Sequence, residues 1–193
     1  MANLNIGSHT IVSDDSGTPS LKSIDVSSSV TFPAGHVIQV VQTVKTDYFN
    51  SQSTTFQDIT GLSVSITPKY TSSKILVMWS IAVSGSGHYD IRLARVLGGT
   101  ETSPYIGDAM GSRTRSTHHH YMTTSYNTTW NSESDNGQYL DSPNTTSEIT
   151  YKFQCANPHS SGYYVRIGYQ YSDADAAYAG TNPSSMTLLE IAG

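Results

Sequence analysis

The feature that most restricts how this chain can fold is a period-two alternation of apolar and hydroxyl-bearing residues, interrupted roughly every ten to fifteen residues by Gly, Ser or Pro. Leu62, Val64 and Ile66 fall on one side of an extended backbone and Ser63 and Ser65 on the other, the pattern of a strand with one dry face, and Pro68 ends it. Residues 54–59 alternate likewise, with Gly61 separating the two pieces. Composition closes off the helical alternative. Ser and Thr make up about 27% of the 193 residues, Tyr contributes 13 and Gly 15, and charged residues supply only 13%. Such residues are poorer helix formers than Ala, Glu, Lys and Leu, which are scarce here. Hydrophobic content is only 36%, but it is concentrated in Val/Ile/Tyr-rich runs that can supply a core, which argues against disorder.

The same reading extends along the chain. Residues 36–45 form a Val-rich run. Residues 74–83 are the most apolar segment, read as a central strand covered on both faces; a buried helix competes, but Ser/Gly punctuation on either side favours the strand. Residues 89–96 alternate again, and Gly98-Gly99 is a hairpin turn signal. Further strands are expected at 118–126, 148–155, 163–171 and 185–192, with residues 131–144, rich in Ser, Asp, Asn, Gly and Pro, as the longest loop. Eight or nine strands without helix predict an all-β fold: a two-sheet antiparallel sandwich, a jelly roll of about eight strands. Residues 1–34 differ. Short apolar pieces (Leu4, Ile6, Ile11, Val12, Ile24, Val26) flank a turn-rich stretch at 13–20, which predicts an extended arm with too little apolar surface to fold alone, ahead of a head at 35–193.

Charge and motifs exclude several classes of function. Ten basic against fifteen acidic residues leave a net charge of −5 and no basic stripe for phosphates, so no nucleic-acid partner is expected. The longest apolar run, Ile75 to Trp79, is far short of a membrane span, and no signal peptide is visible, so no membrane partner is expected and the chain is read as made in a cytoplasm. The single cysteine, Cys155, rules out an intrachain disulfide and reads as a small buried hydrophobe. The Asn-Thr-Thr triplets at Asn127 and Asn144 are taken as compositional without a secretory signal. There is no G-x-S-x-G, glutamates are few and scattered, and Asp173-Ala174-Asp175 lacks the rest of a calcium loop. No enzyme activity and no cofactor are therefore expected.

Two features remain as candidate sites. On a strand, His118 and His120 of the His118-His119-His120 run project to one face about 6.6 Å apart, close enough to share a metal. Two ligands do not complete a site, and acidic residues are not clustered beside them, so the metal reading places the histidines of three copies on a symmetry axis; the competing reading is a polar strand face. The tyrosines form the second feature. Tyr163, Tyr169 and Tyr171 share a face with Val165 and Ile167 on the expected 163–171 strand, and Tyr121, Tyr126 and Trp130 form an aromatic set near the long loop. Subunit packing and glycan stacking compete as their roles.

Longer motifs carry a resemblance. Phe32-Pro33-Ala34-Gly35-His36-Val37-Ile38-Gln39-Val40-Val41-Gln42, Ile59-Thr60-Gly61-Leu62-Ser63-Val64-Ser65-Ile66-Thr67-Pro68 and Thr71-Ser72-Ser73-Lys74-Ile75-Leu76-Val77 are the first three. With Gly107-Asp108-Ala109-Met110-Gly111-Ser112-Arg113-Thr114-Arg115 and the ending Met186-Thr187-Leu188-Leu189-Glu190-Ile191-Ala192-Gly193, they resemble a β-domain found in structural proteins of tailed bacteriophages. The likeness covers residues 32–193 and rests mostly on strand-and-turn patterns. It implies a trimeric, tumour-necrosis-factor-like jelly roll on the virion surface. Fibre heads of that kind usually follow a long shaft, whereas about 30 residues precede this one. The expectation is therefore a homotrimeric capsid decoration (cement) protein whose arm engages the major capsid protein or another virion protein. The alternative is a tail-fibre or tail-tip component that binds a host surface glycan.

Overall fold

The computed structural model describes residues 4–6, 9–11, 32–122, 131–159, 162–172 and 175–193. The chain divides into two compact units, residues 1–32 and 33–193. In the first, β1 (Leu4–Ile6) and β2 (His9–Ile11) pair antiparallel, with Leu4 opposite Ile11 and Ile6 opposite His9. Three of the expected arm residues, Leu4, Ile6 and Ile11, thus lie on these strands; Val12, Ile24 and Val26 fall outside the described residues.

The second unit is all-β. Its strands are β3 (Val37–Lys45), β4 (Phe49–Ser51), β5 (Gln57–Ile66), β6 (Lys74–Gly85), β7 (Gly87–Leu97), β8 (Thr100–Thr102), β9 (His118–Met122), β10 (Glu133–Asp141), β11 (Ile149–Ala156), β12 (Val165–Ile167) and β13 (Ser184–Ile191). One sheet runs β3-β13-β6-β10; the short β12 follows β13 along the same edge of β6, with β4 beyond β12, and β10 takes the opposite edge. The other runs β5-β11-β7, with β9 and the short β8 sharing the far edge of β7. Taking the eight longer strands in chain order, the sheets read 1-8-3-6 and 2-7-4-5, the strand order of a jelly-roll sandwich.

Alternation explains the layers. Ile75, Val77, Trp79, Ile81 and Val83 of β6 face Tyr89, Ile91 and Leu93 of β7 and Ile149, Tyr151, Phe153 and Cys155 of β11 in one core, joined by Met186 and Leu188 of β13. Charged groups are admitted where they are paired. Arg95 of β7 points inward and donates to both oxygens of Asp141 at 3.0 and 2.7 Å, and the Tyr151 hydroxyl donates to Asp141 Oδ2 at 2.7 Å. Burial, reinforced by that carboxylate, pushes the Tyr151 phenol well above its ordinary range.

Four details differ from the sequence reading. The pieces around Gly61 are one strand, β5, running through a bulge where Gly61 adopts φ +86°, so this glycine offsets the pairing with β11 instead of turning the chain. Residues 131–144 are not a loop: β10 pairs with β6 over nine residues, because the pairing is dictated by the apolar partner strand and not by the local propensity of Ser, Asp and Asn. The 163–171 strand is cut to Val165–Ile167, since Gly168 takes φ +91° and redirects the backbone before the later tyrosines. Finally, β6 is covered on both faces only at its C-terminal end, where Ala82 and Ser84 are buried; Met78, on the outer face, is 41% exposed.

Gly137 shows how closely β10 lies over the core. A Cβ there would come within 2.8 Å of Cε2 and Cη2 of the Trp79 ring. Gly137→Ala is therefore expected to cost about 1–3 kcal/mol of unfolding free energy in urea titrations. Gly107→Ala, whose added methyl meets nothing within 4 Å, should leave the midpoint unchanged.

Candidate functional site

β9 lies against β7 in a register that sets His118 opposite Ile91, His119 opposite Asp90 and His120 opposite Tyr89. The pleat therefore turns His118 and His120 towards the opposing sheet and His119 outward. Inside, both histidines meet Asp135, which β10 presents from the other sheet. His118 Nδ1 contacts Asp135 Oδ1, and His120 Nε2 lies 3.1 Å from Oδ2. Trp79 Nε1 donates to Asp135 Oδ1 at 3.1 Å, Glu133 Oε2 lies 3.5 Å from His120 Nδ1, and Tyr89 stacks on the His120 ring at 5.0 Å and 8°. The Asp135 side chain is fully buried, His120 is 16% exposed and His118 34% exposed, so the cluster opens on the His118 side.

The electrostatics follow from these contacts. Burial alone would raise the Asp135 carboxyl, but hydrogen bonds from His120 and Trp79 and the charges of both histidines outweigh it and hold it below the usual range. Burial would lower His120, but its bond to Asp135 and the charges of Asp135 and Glu133 raise it. Tyr89 is driven up strongly, chiefly by burial. One carboxylate and two imidazoles, with donor atoms all within 4.8 Å, make a mixed nitrogen and oxygen donor set. The third donor comes from the same chain. Sequence reasoning missed Asp135 because residues 131–144 look like a loop; the inward spacing Asp135, Gly137, Tyr139, Asp141 was the available signal.

On the outer face His119 Nδ1 lies 3.0 Å from Asp90 Oδ1, and His119 Nε2 lies 3.3 Å from His88 Nδ1. The second Asp90 oxygen is buried with no hydrogen-bond partner among the described residues. A cleft of about 520 Å³ opens here, walled by these three side chains with Arg113, Thr114, Pro158 and His159. Tyr121 stands beside it, 61% exposed, its ring 4.7 Å from His88.

The other aromatic candidates scatter. Tyr163 stacks on His159 at 6.4 Å. Tyr169 is only 8% exposed, edge-on to Tyr48 at 5.5 Å, and with Tyr171 and Tyr164 it surrounds the Arg166 guanidinium. These tyrosines do not line one face. Tyr126, Trp130 and Asp173 lie outside the described residues. Cys155 is fully buried, and burial pushes its thiol up to about 12.

The outer faces of the two sheets contrast. That of the β5-β11-β7 sheet carries a polar network: Lys152 Nζ reaches Asp58 at 2.7 Å and Glu101 at 2.8 Å, and Gln154 bonds Asp58, Glu101 and Arg92. That of the β3-β13-β6-β10 sheet carries a cross-strand row, Val40, Leu189, Leu76, Leu140, with Met78 and Val44 beside it. Val40, Val44, Met78 and Leu140 are each at least 41% exposed. The intervening positions are Gln42, Thr187, Gln138, Ser185, Ser80 and Asn136, none charged.

The polar network sets a pH dependence. The bond from Lys152 holds Glu101 below its usual range; at Asp58 burial acts upward but the bonds from Lys152 and Gln154 outweigh it. Lys152 is raised, its bonds to both carboxylates outweighing burial. Depressed carboxylates stabilise above their ordinary pKa of about 4 and lose that as pH falls through the folded value, while a raised lysine stabilises below about 10.4 and loses it at higher pH. Lys152→Met should thus cost under about 1 kcal/mol, given the exposure of both acids, between those limits. Urea midpoints measured across pH should show wild type and variant converging below pH 3 to 4. No family model matches the chain and no curated protein matches it, so its function has to be argued from these residues.

Proposed function

We propose that this chain is a non-enzymatic structural protein of a bacteriophage virion: a capsid decoration protein whose jelly-roll head associates as a homotrimer. The observation that carries the reading is the apolar row Val40, Leu189, Leu76, Leu140 on the outer face of one sheet, while the opposite outer face is polar and networked. A cross-strand apolar row on a four-strand platform, with one lysine, Lys74, at its border, costs free energy when left in water and has the composition of an interface core. The resemblance of residues 32–193 supplies the virion setting and the number three. A permanent trimer needs well over ~1,000 Å² buried per contact, which a platform of this width can supply. The arm, residues 1–34, which carries strands at Leu4–Ile6 and His9–Ile11, suits anchoring by strand addition to the major capsid protein or a neighbouring copy, because main-chain bonds tolerate variation in the partner's side chains.

A second reading is favoured by the cleft beside Tyr121. An exposed tyrosine next to a polar pocket suits stacking on a sugar ring, as a tail-tip protein would need for a host glycan. Copy number separates the two. Hundreds of chains per particle, counted by quantitative mass spectrometry, mean shell; a few dozen or fewer, with binding on a glycan array, mean tail.

Two variants test the assembly. Paired Leu76→Lys and Leu140→Lys substitutions should convert a trimer into a folded monomer by light scattering, since burying two unpaired charges costs several kcal/mol. A wild type that is already monomeric at micromolar concentration defeats the reading. Removing residues 1–30 should leave a soluble trimer that no longer binds shells in co-sedimentation; normal decoration by the truncated head would rule out the arm as anchor.

A further inference from the structure

We infer that His118, His120 and Asp135 bind one divalent transition-metal ion of the zinc class within a single chain, joining β9 of one sheet to β10 of the other. The inference stands on the cluster's own geometry and is independent of the virion reading.

The donor atoms are already gathered. His118 Nδ1, His120 Nε2 and the Asp135 carboxylate all lie within 4.8 Å of one another. A tetrahedral zinc site with bonds of about 2.0–2.1 Å has donor–donor edges of about 3.4 Å. Asp135 already lies closer to both rings than that edge, so an ion enters by replacing those two contacts as the rings rotate slightly. The donors also come from paired, rigid strands, one from each sheet, so little ordering remains to be done on binding.

The surroundings are those of a built metal site. A ligating carboxylate needs a second partner to hold it, and Trp79 Nε1 donates to Asp135 Oδ1 at 3.1 Å. A ligating histidine needs its other nitrogen engaged, and Glu133 Oε2 lies 3.5 Å from His120 Nδ1, on the side of the ring away from Asp135. Tyr89, stacked at 5.0 Å and 8°, fixes the plane of that ring. Asp135 is a fully buried carboxylate whose charge a dication would neutralise in place.

The donor set selects the ion. Two imidazoles and one carboxylate suit zinc, cobalt, nickel or copper; calcium and magnesium prefer all-oxygen shells and more ligands. His118 is 34% exposed, so the fourth position opens to solvent, where water or a donor from a neighbouring molecule completes the tetrahedron. A metal here is a clasp between the sheets at the edge where β9 and β10 meet.

The test uses the full chain without a histidine tag, stripped with chelator and titrated with zinc chloride by calorimetry. The expected result is one ion per chain, with micromolar or tighter affinity and a thermal midpoint that rises with zinc concentration. Paired His118→Gln and His120→Gln substitutions should weaken binding by at least about 100-fold, and Glu133→Gln by about 10-fold with stoichiometry kept. Long-range proton–nitrogen spectra should show His118 coordinated through Nδ1 and His120 through Nε2. Absence of zinc binding by the wild-type chain overturns the inference whatever the variants do. So does binding that survives the paired substitution but is lost in paired His88→Gln and His119→Gln, which would place the ion at the outer cluster.

Discussion

The head depends on β6. Along one edge it hydrogen-bonds to β13 and then β12, and along the other to β10, so three strands from distant parts of the sequence take their register from it. Its inward residues, Ile75 through Val83 at alternate positions, are the floor on which the opposing sheet packs. Its outward residues set what the sheet offers to its surroundings: Ala82 and Ser84 are covered by the chain itself, while Leu76 and Met78 are not fully covered. A strand this apolar on both faces is ordinarily buried on both. The half-open state of β6 is the physical ground on which the proposed assembly rests.

Much of this was legible in the residues. Alternation located β3, β6, β7, β11 and β13 almost to their ends, because each buries one face against the same core and the pattern is enforced by a free-energy cost at every second position. It failed where tertiary pairing overrides local preference. β10 is mostly Ser, Asp, Asn and Gly, so beyond its period-two spacing little local announces a strand; its pairing with β6 and the fit of Gly137 over Trp79 make it one. Glycine misled in the opposite direction at Gly61, a bulge inside a continuous strand, and at Gly168, a break inside an expected one. The same local conformation serves two ends, and the neighbouring strands decide which.

The candidate site was half visible for the same reason. Strand periodicity put His118 and His120 on one side and His119 on the other. It could not supply Asp135, since that residue arrives from the opposite sheet through a segment without strand character. Nor could it foresee that His119 would join Asp90 and His88 in a separate outer cluster. One run of three identical residues therefore serves two chemically distinct places, divided by the thickness of a sheet.

The inward Arg95, bound to Asp141 and through it to Tyr151, has a consequence for how the sandwich reaches its final form. The three residues belong to β7, β10 and β11, and each satisfies the others only when all three strands are aligned correctly. A slip of one residue in the pairing of β11 with β7 or of β10 with β6 would expel the guanidinium to water and strand a carboxylate among hydrocarbons. In a fold whose strands meet across long stretches of chain, and whose serine-rich edges discriminate weakly between alignments, such a lock acts as proofreading: mismatched intermediates are costly enough to come apart and try again.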